Sequence, residues 1–163
     1  MLQGFEHVIY GSAISTLIGS LFAVLISFEI VSKRAKLRYQ SLYFFNEIMT
    51  VGGLILMWYY LDNIYLIFTI LTALSITYQL YKLLVAIYSV DKRFRLLILS
   101  LGTSHSEYAR FVLEKNLGKM LGNLLKFYTV SLISFLASLT PYASNIGFLA
   151  LIVGLILTLL QSD

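Results

Sequence analysis

Asp91 to Lys119 reads DKRFRLLILSLGTSHSEYARFVLEKNLGK, and it is the one long polar interruption in an otherwise apolar chain. Six of the twelve Lys and Arg residues lie in it. Phe94, Leu97, Ile98 and Leu101 recur at i, i+3, i+4 and i+7, which predicts a short helix with one apolar face and with Arg93 and Arg95 off that face. Gly102 follows as the left-handed residue that ends such a helix, and Thr103 turns the chain. Ser104 and Glu107 have capping-box spacing, in which hydroxyl and carboxylate each satisfy an orphan backbone donor of the next helix. Arg110 and Glu114 lie one turn apart in that helix. The stretch reads as two short helices joined by an elbow, suited to lying on a membrane surface.

Working outward, the flanks are apolar runs of membrane-spanning length. The chain has 163 residues, 59% hydrophobic and 12% charged, with a mean hydropathy of +0.84. That composition belongs to an integral membrane protein, and the length to a single domain covering residues 1–163. The predicted fold is an all-α transmembrane bundle of about five helices, with four as the alternative. Spans are expected near residues 8–31, 43–61, 64–90, 121–139 and 143–160, with the elbow at 91–120. The first run extends for about 36 Å as helix, enough to cross a hydrocarbon core. Its Gly4, Gly11 and Gly19, with Ser12, Ser15 and Ser20, supply small residues that let a neighbouring helix approach. Trp58, Tyr59 and Tyr60 are expected at a membrane interface. The third span reads as the longest, with Tyr78, Tyr81, Val85 and Tyr88 along one face.

Charge sets the orientation. The basic loop Lys33, Arg34, Lys36 and Arg38 and the elbow fall on one side of the five-span arrangement, with Lys82 and Lys126 able to snorkel to it. The opposite side carries Glu6 and Asp62 and no base. The excess of Lys and Arg on cytoplasmic loops then puts the amino terminus outside and the carboxyl terminus inside, in a bacterial or organellar inner membrane. The same excess accounts for the net charge of +4 without nucleic acid. Anionic lipid headgroups would meet these bases. The acid before the first run, in MLQGFEHVIY, speaks against a secretory signal, so that span is expected to be retained.

Catalytic signatures are missing. There is no G-x-x-x-x-G-K-[ST] phosphate loop and no H-E-x-x-H. Without cysteine there are no disulfides or thiolate metal sites, and His7 and His105 lack metal-ligand spacing. No cofactor or metal is expected, and the chain reads as non-catalytic. Ser104-His105-Ser106 is explained by the capping turn. Glu47 is the candidate intramembrane ionisable site; a pair with the adjacent basic loop, or a place at the interface, is the competing reading.

Lys92-Arg93, Leu97, Leu101-Gly102-Thr103-Ser104, Tyr108, Arg110-Phe111 and Leu113-Glu114 together resemble the FtsX-like ABC-transporter permease domain. In that family a span ends in two basic residues, an apolar helix closes on Leu-Gly-Ala-Ser, and a helix with Arg-x-Phe and Glu leads to the next span. The likeness covers residues 64–163. Phe94 stands where the family usually has an acid, Leu99 where it often has Arg, and the family's large extracytoplasmic domain is replaced by the first two spans. The resemblance implies contact with a separate cytoplasmic nucleotide-binding subunit through Arg93, Phe94, Leu97, Leu101, Gly102, Ser104 and Arg110. A different class of function is a structural or accessory subunit that packs against other membrane subunits and lipid within an energy-converting or protein-handling complex. A third, a small ion or proton channel, would require Glu47.

Overall fold

The computed structural model describes residues 2–33, 47–89 and 92–161. The basic loop from Arg34 to Arg38, the start of the second expected span with Asn46, and the side chain of Phe94 lie outside the described residues. Seven helices and no strand occur among those described: α1 (Leu2–Ser32), α2 (Glu47–Tyr60), α3 (Ile64–Tyr88), α4 (Lys92–Ser100), α5 (His105–Lys115), α6 (Leu117–Ser138) and α7 (Ala143–Gln161). Four of them are long and apolar enough to cross a membrane: Phe5–Ser32, Ile64–Tyr88, Leu117–Ser138 and Ala143–Leu160. The all-α membrane fold expected from the sequence is the fold observed. Of the second expected span, α2 is described over 14 residues, about 21 Å of helix.

The contacts give each helix its direction. Gly11 of α1 faces Phe68 of α3, and Gly19 faces Ser75, so these two helices run parallel. Glu47 of α2 meets Lys126 of α6, and Trp58 meets Phe135, so α2 and α6 are also parallel. Phe5 near the start of α1 touches Phe135 near the end of α6, which makes those two antiparallel. α7 runs back along α2: Gly154 lies beside Met49, Gly147 beside Leu56, and the hydroxyls of Tyr60 and Ser144 share a 2.7 Å hydrogen bond. With α2 included, α1, α2, α3, α6 and α7 therefore alternate up and down.

Small residues set how closely they pack. In lipid no hydrophobic drive brings helices together, so close backbone approach and interhelical hydrogen bonds carry more of the association. A Cβ on Gly52 would sit 2.8 Å from both the Gly147 carbonyl oxygen and the Leu151 nitrogen. Between α1 and α3 the Gln79 amide donates to the Thr16 carbonyl at 3.2 Å and to Ser75 Oγ at 2.9 Å. Thr16 donates back to Ser12 O at 2.7 Å.

One expectation is corrected. The longest helix is α1, at 31 residues, and not the third span. Its helix continues back to Leu2 because polar Glu6 and His7 end an apolar run without ending a helix. Trp58 packs edge-on against Phe68 and Phe135 on the bundle side of α2. Tyr59 and Tyr60 are exposed. The turn after them is short because Asn63 caps α3, its Oδ1 accepting from the Tyr65 and Leu66 amides.

Candidate functional site

The segment from α4 to α5 begins with local chemistry. Leu101 and Gly102 donate to the carbonyls of Ile98 and Leu99, both at 3.2 Å, closing α4 with tight turns. Gly102 takes φ +87°, a region where a side chain is disfavoured and glycine is not. Thr103 Oγ1 donates to the Ile98 carbonyl at 2.8 Å. Ser104 then caps α5. Its Oγ accepts from the Glu107 amide at 3.3 Å, and Glu107 Oε2 accepts from the Ser104 amide at 2.8 Å. The Ser104 amide, and secondarily its hydroxyl, hold the Glu107 carboxyl below the usual range.

Packing gives the segment an inner and an outer side. Tyr108, Ala109, Val112 and Leu113 of α5 are buried with Val31 of α1 and with Leu83 and Ile87 of α3. Ile98 and Leu99 of α4 lean on the same cluster. Burial raises the Tyr108 phenol pKa, and the Arg95 guanidinium over its ring partly opposes that rise. Leu97 and Leu101 point the other way, 59% and 75% exposed. The apolar face expected through Phe94, Leu97, Ile98 and Leu101 is thus divided. Ile98 packs inward, and Leu97 and Leu101 form an exposed strip one turn apart.

The remaining expected residues fall on two surfaces. Arg93 is exposed on α4, four residues before Leu97 and so on the same strip. Gly102 and Ser104 form the turn. Arg110 belongs elsewhere: its Nε donates to Glu114 Oε1 at 2.8 Å, an ion pair that raises the guanidinium pKa. Arg110 also lines a recess of about 220 Å³ with Val24 and Phe28 of α1 and Leu117 and Met120 of α6.

Asn116 was not singled out by sequence reading. It is the C-cap of α5 and stands immediately before α6. Its backbone at φ −97°, ψ 7° interrupts the helix, and its buried Nδ2 donates to the Val112 carbonyl at 2.8 Å. One residue therefore couples the short helix to a long apolar one. Nothing in the local sequence, Glu114-Lys115-Asn116-Leu117-Gly118-Lys119, sets this Asn apart from its polar neighbours.

Glu47 finds partners on two other helices. Its Oε1 accepts from Lys126 Nζ at 2.6 Å and from Lys82 Nζ at 3.1 Å. The basic loop is not needed to neutralise it; of that loop the described Lys33 pairs with Glu29. No group of three or more His, Cys, Asp or Glu suited to a metal occurs among the described residues.

No family model, curated protein or solved structure matches this chain.

Proposed function

We propose that the chain is a non-catalytic membrane subunit that receives mechanical input through α4 from a separate cytoplasmic ATPase, in the manner of an ABC-transporter permease. The observation that carries this reading is the two-sided packing of α4. Leu97 and Leu101 are exposed, and Ile98 and Leu99 rest on the cluster that α5 shares with α1 and α3. A displacement of α4 would press on that cluster and reach two long helices at once. The capped turn at Gly102 and Ser104 stiffens the connection, and Asn116 extends it to α6. The motif likeness over Lys92 to Glu114 supports an ATPase as the source of the push. The concentration of bases at this end supports a cytoplasmic location for it.

The test is recovery of a nucleotide-hydrolysing polypeptide with the affinity-purified full-length chain from its own membranes. Leu97→Asp should reduce recovery, and Gly102→Val should reduce it further, while membrane insertion persists. Recovery that survives Leu97→Asp, Gly102→Val and Ser104→Ala together would defeat the proposal.

A specific observation favours a second reading. Apart from its contact with α2, α7 exposes Phe148, Leu149, Ile152, Leu155, Ile156 and Leu159. Such a surface suits lipid or partner helices, as in an accessory subunit of a larger assembly. That subunit would co-purify with several membrane polypeptides and tolerate changes in α4.

A further inference from the structure

A recess of about 240 Å³ opens between α2 and α6, beside the Glu47 carboxylate. Its walls are apolar, formed by Val51 of α2 and by Phe127 and Val130 of α6, with Tyr78 of α3 also lining it. Its polar end is defined by Glu47 and Lys126, and Lys82 reaches the same carboxylate oxygen from α3. Two ammonium groups meet one carboxylate there, so the trio carries a net charge of +1. Each ammonium has three N–H donors and one is used on Glu47, which leaves capacity for another acceptor. The Lys82 and Lys126 side chains are 31% and 50% exposed, so that capacity is accessible.

We infer that this recess is a binding site for an anionic phospholipid, its phosphate held by Lys126 and Lys82 and one acyl chain lying against Val51 and Val130. An apolar slot ending in net positive charge complements such an amphiphile. Basic pockets between membrane helices on the cytoplasmic side recognise acidic headgroups. A zwitterionic lipid would bring a quaternary ammonium to the same place and gain less. Glu47 holds both lysines in register across three helices. It also limits the net charge, which favours a singly charged phosphodiester. Lysine stems can carry the ammonium groups toward the headgroup level. This inference does not depend on an ATPase partner.

The experiment is native mass spectrometry of the full-length chain after equilibration with equimolar dioleoyl phosphatidylglycerol and dioleoyl phosphatidylcholine in mixed micelles. Wild type should retain one phosphatidylglycerol in preference to phosphatidylcholine. Lys126→Gln should lower that preference by about fivefold, the value of one lysine near a headgroup, and Lys126→Arg should keep most of it. Lys119→Gln, an exposed lysine on the same helix outside the recess, should change nothing. Val130→Trp, which fills the slot and leaves both lysines, should reduce retention of phosphatidylglycerol. Circular dichroism establishes that each variant is folded. Equal retention of the two lipids by wild type would overturn the inference, as would equal losses from Lys126→Gln and Lys119→Gln. Displacement of the lipid by millimolar inorganic phosphate would also overturn it, because the site would then bind a headgroup anion without the chain.

Discussion

The Arg95 guanidinium lies over the Tyr108 ring, 5.4 Å from its centroid, and so fastens α4 to α5 across the Gly102 turn. Tyr108 is itself buried against α1 and α3. The cation is held by a ring that is part of the bundle, and this gives α4 a fixed seat despite its exposed outer strip.

Removing that fastening should loosen α4 and leave the bundle intact. Arg95→Ala should cost about 0.5–1 kcal/mol, the range for an exposed cation over an aromatic face. Tyr108→Ala should cost more, about 3 kcal/mol, because it also empties a buried site. Hydrogen exchange of the α4 amides should speed up in both variants. Only Tyr108→Ala should also accelerate exchange in α5.

The turn should be sensitive to backbone conformation more than to space. A Cβ on Gly102 would meet nothing within 4 Å, so any penalty comes from its φ of +87°. Gly102→Val should cost at least ~1–2 kcal/mol on conformational grounds, and Ser104→Ala about 1 kcal/mol of cap stability. The expected order of damage to partner recovery is Gly102→Val, then Leu97→Asp, then Ser104→Ala.

Acid should weaken the cap of α5. Hydrogen bonds from Ser104 lower the Glu107 pKa in the folded protein. The carboxylate's contribution is therefore complete above the unfolded pKa of roughly 4.3 and is lost as pH falls through the lower folded value. Protection of the Glu107 and Tyr108 amides, taken relative to their intrinsic exchange rate at each pH, should fall below about pH 4. Glu107→Gln should abolish that pH dependence.

Close packing of α2 on α7 predicts a sharp contrast between neighbouring glycines. Gly52→Val would drive a side chain into the Gly147 carbonyl and the Leu151 nitrogen, which are backbone and cannot swing away. The cost should be about 1–3 kcal/mol of overpacking. Gly53→Ala faces open space and should be tolerated. Disulfide formation between cysteines placed at Tyr60 and Ser144 reports the helix pairing directly: it should fall in the first variant and persist in the second.

The parts of this fold legible in the sequence are those written by adjacent residues. Apolar runs mark the long helices because a membrane-spanning helix needs only composition and length. The Gly102 turn and the Ser104–Glu107 box are legible because their hydrogen bonds close within a few residues. What the sequence leaves open is pairing through space. Glu47 has basic residues in the preceding loop, yet its observed partners come from α3 and α6, and only a match of depth across three helices could have indicated them. Trp58 has the composition of an interface anchor, and that composition could not name Phe68 and Phe135 as the rings it packs against. The apolar repeat of α4 could not reveal which of its residues turn inward. Ile98 is covered and Leu97 exposed because α5 occupies one side, a fact absent from the pattern itself.

The central claim is that the exposed strip of α4 meets a cytoplasmic ATPase. A photo-crosslinking amino acid placed at Leu97 of the full-length chain, activated in native membranes, tests it most directly. The account predicts a covalent adduct with a nucleotide-hydrolysing polypeptide from Leu97 and none from Ile98, which packs inward. Adducts with lipid alone from Leu97 would contradict it and leave α4 as a helix resting on the membrane surface.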